Sequence, residues 1–140
     1  MNMLTSIPFR FKILILALFF SLVISNPGFA GEIQGFVDSV TLQGSNIVVN
    51  GWACDGTDSA LNVDVYTGTA EKAGNLIQEG NVANVSRPDL QDACGSIGHG
   101  YAVVLTADQL KNQTDQMIWV GSSGTFLKDS GRYSIPQNSV

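Results

Sequence analysis

Alternation of apolar and polar residues with a period of two sets the strongest limit on how this chain folds. In "LNVDVYT", Leu61, Val63, Val65 and Thr67 fall on one side of an extended backbone and Asn62, Asp64 and Tyr66 on the other. That is the pattern of a half-buried antiparallel strand. "NIVVNGWAC" alternates too, with Val48, Asn50, Trp52 and Cys54 opposite Ile47, Val49, Gly51 and Ala53. It is apolar on both sides, as a central strand is. No segment sustains a helical period. Further strands are expected in "EIQGFVDSV", "NLIQEGNVANVS" (broken at Gly80), "YAVVL", "QMIWVGS" and "RYSIPQ", the last stopped by Pro136. "LQGSN", "DGTDSA" and "GTAEKAG" read as turns or loops, and "SGTFLKDSG" as a hairpin. "RPDLQDACGSIGHG" reads as a loop with room for one helical turn, and Thr106 and Gln109 of "TADQL" have capping-box spacing. About seven short strands with regular turns in one domain predict an all-β sandwich.

The first thirty residues stand apart. Arg10 and Lys12 precede an apolar run from Ile13 to Ser25, and "NPGFA" ends in a small residue at Ala30. This order predicts a secretory signal peptide over 1–30, removed to leave a β-sandwich domain over 31–140. A membrane anchor is the alternative, but the run falls short of the ~20 residues that span a bilayer. The expected location is therefore secreted, extracellular or periplasmic, and not membrane-embedded after processing. Of seven basic residues two lie in the leader, leaving five against twelve acids, a net charge of −7. Such a surface disfavours nucleic acid and anionic lipid as partners.

Export bears on the two cysteines. In an oxidising compartment Cys54 and Cys94 are expected to form one intradomain disulfide. Free thiols or a metal site are the alternatives, and two cysteines with the single His99 make a poor zinc set. Trp52 shares the face of Cys54, so the two are expected to fill the sandwich core together.

Five short landmarks recur in one order: "GFVDSV" (35–40), "GWACD" (51–55), "VDVYTG" (63–68), "ANVSRPDL" (83–90) and "GHGYAVVL" (98–105). Together they resemble a β-sandwich module of secreted and surface-exposed bacterial proteins. The departures are Leu90 for valine and Tyr101 for phenylalanine, both still apolar. The resemblance spans nearly all of 31–140 and implies an immunoglobulin-like sandwich. It implies no catalytic chemistry.

Candidate chemistry is sparse. Hydrolysis would draw on His99 or on loop carboxylates, Asp55 with Asp58 or Asp89 with Asp92, yet no nucleophile-elbow pattern accompanies them. His99, between glycines, reads as a turn or core-edge residue, and the loop acids as local hydrogen-bonding groups. "DGTDS" lacks the EF-hand pattern for calcium, and no metal or other cofactor is expected. Arg87 is expected to pair with Asp89 or Asp38 and so fix the loop that carries Cys94. Carboxylate or sugar recognition is its alternative role. Tyr66, Trp119 and Tyr133 are the aromatic candidates for stacking a ligand, with edge packing as the competing reading. "NVS" (84–86) and "NQT" (112–114) are glycosylation sequons only where the source glycosylates. The expected function is a non-enzymatic binding or accessory module for a glycan or cell-surface protein. A structural or inhibitory partner protein is the alternative, and a small hydrolase is less favoured.

Overall fold

The computed structural model describes residues 31–113 and 116–136. The expected signal peptide and Thr114 of the second sequon lie outside the described residues.

β1 (Gln34–Gln43) and β2 (Asn46–Cys54) form a hairpin around Gly44, whose φ of +63° suits glycine in a tight turn. β6 (Gly98–Leu105) pairs with β2, and β5 (Val85–Ser86) pairs with β6, giving a first sheet in the order β1-β2-β6-β5. The second sheet runs β4 (Ala73–Val82), β3 (Asn62–Gly68), β7 (Met117–Ser122), β8 (Thr125–Phe126). β9 (Tyr133–Ser134) pairs with the start of β7. All strand pairs are antiparallel. Lettered along the chain as A, B, C, C′, D, E, F and G, the first eight strands give sheets A-B-E-D and C′-C-F-G. This is the immunoglobulin arrangement. The described residues hold nine strands where about seven are expected, and three of the nine are only two residues long.

The core lies between the sheets and follows the alternation. β2 contributes Ile47, Val49 and Ala53, β3 contributes Val63 and Val65, β6 contributes Tyr101, Val103 and Leu105, and β7 contributes Ile118 and Val120. Each fully buried valine, leucine or isoleucine stabilises the fold by roughly 1.5–3 kcal/mol. The Tyr101 hydroxyl crosses β2 over Gly51 and donates to the Phe36 carbonyl at 2.9 Å. A side chain at Gly51 would collide with that hydroxyl and carbonyl, so glycine is required there. Burial, and behind it Asp38, pushes the Tyr101 phenol up from its ordinary value.

Two sequence expectations need correction. Gly80 does not break the strand: β4 continues through it at φ +72°, with the Gly80 amide donating to Asp64 Oδ1 at 2.8 Å. The strand ends instead at Val82, where Ala83 turns inward and its amide donates to the Leu61 carbonyl. The second correction concerns Trp52. It and Cys54 do share a face, but that face is the outer one of the first sheet. Trp52 is half-buried there, packed on a small cluster of Cys54, Leu90 and Cys94, outside the main core.

The sheets are joined along one side. The Val37 amide donates to the Lys128 carbonyl at 2.9 Å and the Lys128 amide to the Gly35 carbonyl at 3.0 Å. This short parallel bridge, Phe36 opposite Lys128, covers part of the open edge of β1. It also brings the two outer faces close together along a seam.

Candidate functional site

The outer face of the first sheet is covered by the chain itself. After β5 comes a 3-10 turn, Pro88–Leu90, then a single helical turn, Gln91–Cys94, closed by Gly95 at φ +80°. Cys94 is bonded to Cys54 across a sequence separation of 40, as expected. The bridge therefore ties β2 to the β5–β6 connection and does not cross the sandwich. Arg87 secures the start of this connection. Its Nε and Nη2 donate to Asp89 at 2.8 and 2.6 Å, and Nη1 donates to Asp38 Oδ2 at 2.8 Å. Both expected partners are thus engaged at once. Gly100 lets the side chain pass, since a Cβ there would lie 2.8 Å from Arg87 Cγ. Hydrogen bonds from Arg87 hold the Asp89 carboxyl below its usual range, and the two acids hold the guanidinium above its own.

His99 is fully buried. Its Nε2 is in hydrogen-bond contact with Ser96 Oγ at 2.7 Å, while Nδ1 is buried without a partner among the described residues. A serine and histidine in contact form the first half of a catalytic triad. The second half, an acid orienting the other ring nitrogen, has no counterpart at Nδ1 among the described residues. Of the four loop acids, Asp89 is engaged by Arg87 and Asp55 by its own loop. Asp55 Oδ1 accepts from the Thr57 hydroxyl at 2.6 Å and amide at 3.0 Å, which lowers its carboxyl from the ordinary value. Among the described residues no group of three or more histidine, cysteine or acidic side chains is placed to hold a metal ion.

Among the described residues, no loop of this kind covers the outer face of the second sheet. Tyr66 on β3 stands directly beside Trp119 on β7, and Leu76 of β4 flanks Tyr66 on its other side. The hairpin turn at Ser123–Gly124 sets Phe126 opposite Gly121, and its ring lies over that glycine. Phe126 meets Tyr66 edge-on at 5.5 Å and Trp119 edge-on at 5.2 Å between ring centres. Trp119 is braced from behind: its Nε1 donates to the Thr69 carbonyl at 2.8 Å and its indole lies over Gly131. Phe126 itself is 45% exposed, and Leu76 is 49% exposed. Tyr133 is not part of this cluster. Its ring packs against the core, and its hydroxyl donates to the Asp38 carbonyl at 2.9 Å.

Phe126 also forms one wall of a groove of about 450 Å³ along the seam between the sheets. Phe36 and Trp52 line the other wall, their ring centres 5.5 Å apart. Gly35 and Leu127 lie beneath, while Gln34, Thr125, Glu32 and Lys128 supply polar groups. Lys128 Nζ stands 5.2 Å from the centre of the Phe36 ring, within cation–π reach. The structure thus unites Tyr66 with Trp119, leaves Tyr133 apart, and adds Phe126, Phe36 and Lys128, which alternation alone does not single out. The signal for Phe126 was the hairpin: a two-residue turn at Ser123–Gly124 puts Phe126 in register with Gly121, on the Trp119 side of β7.

Comparison with known proteins finds no matching family model, curated protein or solved structure.

Proposed function

We propose that this chain is an exported, non-enzymatic binding module that recognises a glycan in the groove between the two sheets. The observation that carries the reading is the position of Phe126. It is exposed, fixed by two neighbouring rings, and shared between an open aromatic face and a groove with polar side chains. Sugars offer that combination its complement, since their C–H faces lie on aromatic rings while their hydroxyls exchange hydrogen bonds at the rim. The bacterial-module resemblance and the leader-like 1–30 segment support export. On that reading the ligand is a cell-surface or environmental glycan met outside the cytoplasm.

The test is binding of the processed protein to a glycan array, repeated with Phe126→Ala. Specific retention that the substitution abolishes, with an unchanged melting curve, is the expected result. Retention unaffected by Phe126→Ala would remove the groove from the reading.

A protein partner is the second reading, and one feature favours it. β4 is a ten-residue strand paired on one side to β3 and carrying exposed Leu76 and Val82. A partner strand could add to its other edge. A hydrolase that used His99 would work through its contact with Ser96. His99 is fully buried and has no orienting acid among the described residues. Covalent labelling of Ser96 by a fluorophosphonate would support that reading over the binding module.

A further inference from the structure

The groove differs in charge from the chain that surrounds it. Five cations face twelve acids outside the leader, yet the groove is lined by one of each, Lys128 and Glu32. Arg87 and Arg132 are both committed to aspartates, whereas Lys128 forms no ion pair among the described residues and rests over Phe36. An anionic polymer would gain one lysine and meet the acid excess of the whole chain. A cationic polymer would gain Glu32 and meet Lys128 at close range. An uncharged chain meets neither obstacle.

The rings are arranged in two groups, one on each side of the seam. Phe36 and Trp52 belong to the first sheet, and Phe126, Tyr66 and Trp119 to the second. The backbone bonds joining Gly35 and Val37 to Lys128 hold these groups in fixed relation, so both walls exist before a ligand arrives. A single sugar ring can cover one group. A linked run of sugars can engage both, and the second contact is then intramolecular.

We infer that the ligand class is an uncharged oligosaccharide chain lying across the β1–β8 seam and touching both ring groups. This rests on the glycan reading and narrows it to neutral, multi-unit ligands. The test is affinity electrophoresis of the processed chain in gels containing hydroxyethyl cellulose, xylan or dextran, beside gels containing polygalacturonate or chitosan. Calorimetry with di- and tetrasaccharides of any retarding polymer follows. Retardation by a neutral polymer is expected, unchanged between about 0.05 M and about 0.5 M salt, because no net charge is neutralised on binding. The tetrasaccharide should bind at least about tenfold tighter than the disaccharide. Phe36→Ala and Phe126→Ala should each erase that gain, with melting curves confirming that each is folded. Phe126, being exposed, serves as the arm if Phe36→Ala does not fold. Binding only to the charged polymers with loss at high salt, or equal affinity for di- and tetrasaccharide, overturns the inference but leaves the glycan reading standing. No retardation by any polymer overturns both.

Discussion

Each sheet of this sandwich carries a tryptophan on its outer face, and the two are treated in opposite ways. Trp52 on the first sheet is packed under the chain's own connection between β5 and β6, which is held down by the disulfide and by the Arg87 clamp. Trp119 on the second sheet is braced from behind by Thr69 and Gly131 and presents Tyr66 and Phe126 beside it, with Phe126 exposed. The first face is used for stability, since closing a forty-residue loop constrains the unfolded chain. The second keeps apolar surface in water, which a small domain does at a cost unless something binds there. The contrast predicts that substitutions beneath the covering loop change melting, and that those on the second face, together with Phe36 at the seam, change binding.

The largest effect should come from the bridge. Replacing both Cys54 and Cys94 by alanine should cost about 2–5 kcal/mol, read as a lower urea midpoint. The covering loop should become the most readily exchanging part of the first sheet in hydrogen-exchange measurements. A double variant that melts like the parent would mean that the covered face does not depend on its bridge.

Trp52→Ala comes next. A fully buried tryptophan costs about 3–5 kcal/mol to truncate, and this ring is only half-buried, so roughly half of that is expected. Urea melts measure it. A loss as large as that of a central core residue would place Trp52 in the main core after all.

The Arg87 clamp should give a smaller effect with a recognisable pH dependence. Arg87 is about one-third exposed, so its pairs are partly screened, and Arg87→Ala should cost about 1 kcal/mol or less. The Asp89 carboxyl is held below its ordinary value of 3.8 by Arg87. A carboxyl lowered in the folded state adds stability that is complete above its unfolded value. That stability is lost as pH falls below about 3.8 toward the folded value. The parent should therefore lose more melting temperature than Asp89→Asn over that acid range. Parallel curves for the two proteins would show that the clamp does not hold the loop in solution.

Alternation in β2 and β3 was legible residue by residue, because a strand's side-chain period leaves only two faces. It showed that Trp52 travels with Cys54 and Tyr66 with Asp64. It could not show which face of β2 met the other sheet, because both were apolar. Loop residues distant in sequence make the outer face apolar too: Leu90 and Cys94 fold back over Trp52. The partners of Arg87 were readable from charge and position. Continuation of β4 through Gly80 was not, since it depends on a bulge stabilised by the Asp64 carboxylate on the neighbouring strand. Phe126 escaped for a different reason. β8 is two residues long and has no period to read. Its placement follows from the hairpin turn, where Ser123 itself adopts a φ of +46° that favours glycine or asparagine over serine.

Phe126→Ala should have the smallest effect on stability, and that small effect is the sharpest test of the contrast between the faces. Phe126 is 45% exposed, and its ring meets Tyr66 and Trp119 in T-shaped contacts and lies over Gly121. Trp119 keeps its bond to Thr69 and its seat over Gly131 without it. Gly121, beneath the Phe126 ring, becomes exposed to water, which a strand backbone already paired on both sides tolerates. The change in unfolding free energy should therefore stay within about 1 kcal/mol, the range of an exposed edge-to-face contact. Glycan binding should fall sharply, because the ring serves both the open face and the groove. Urea melts and binding measured on the same preparation decide it. A destabilisation as large as that of Trp52→Ala, with binding intact, would mean that the second face is packing like the first and that the ligand binds elsewhere.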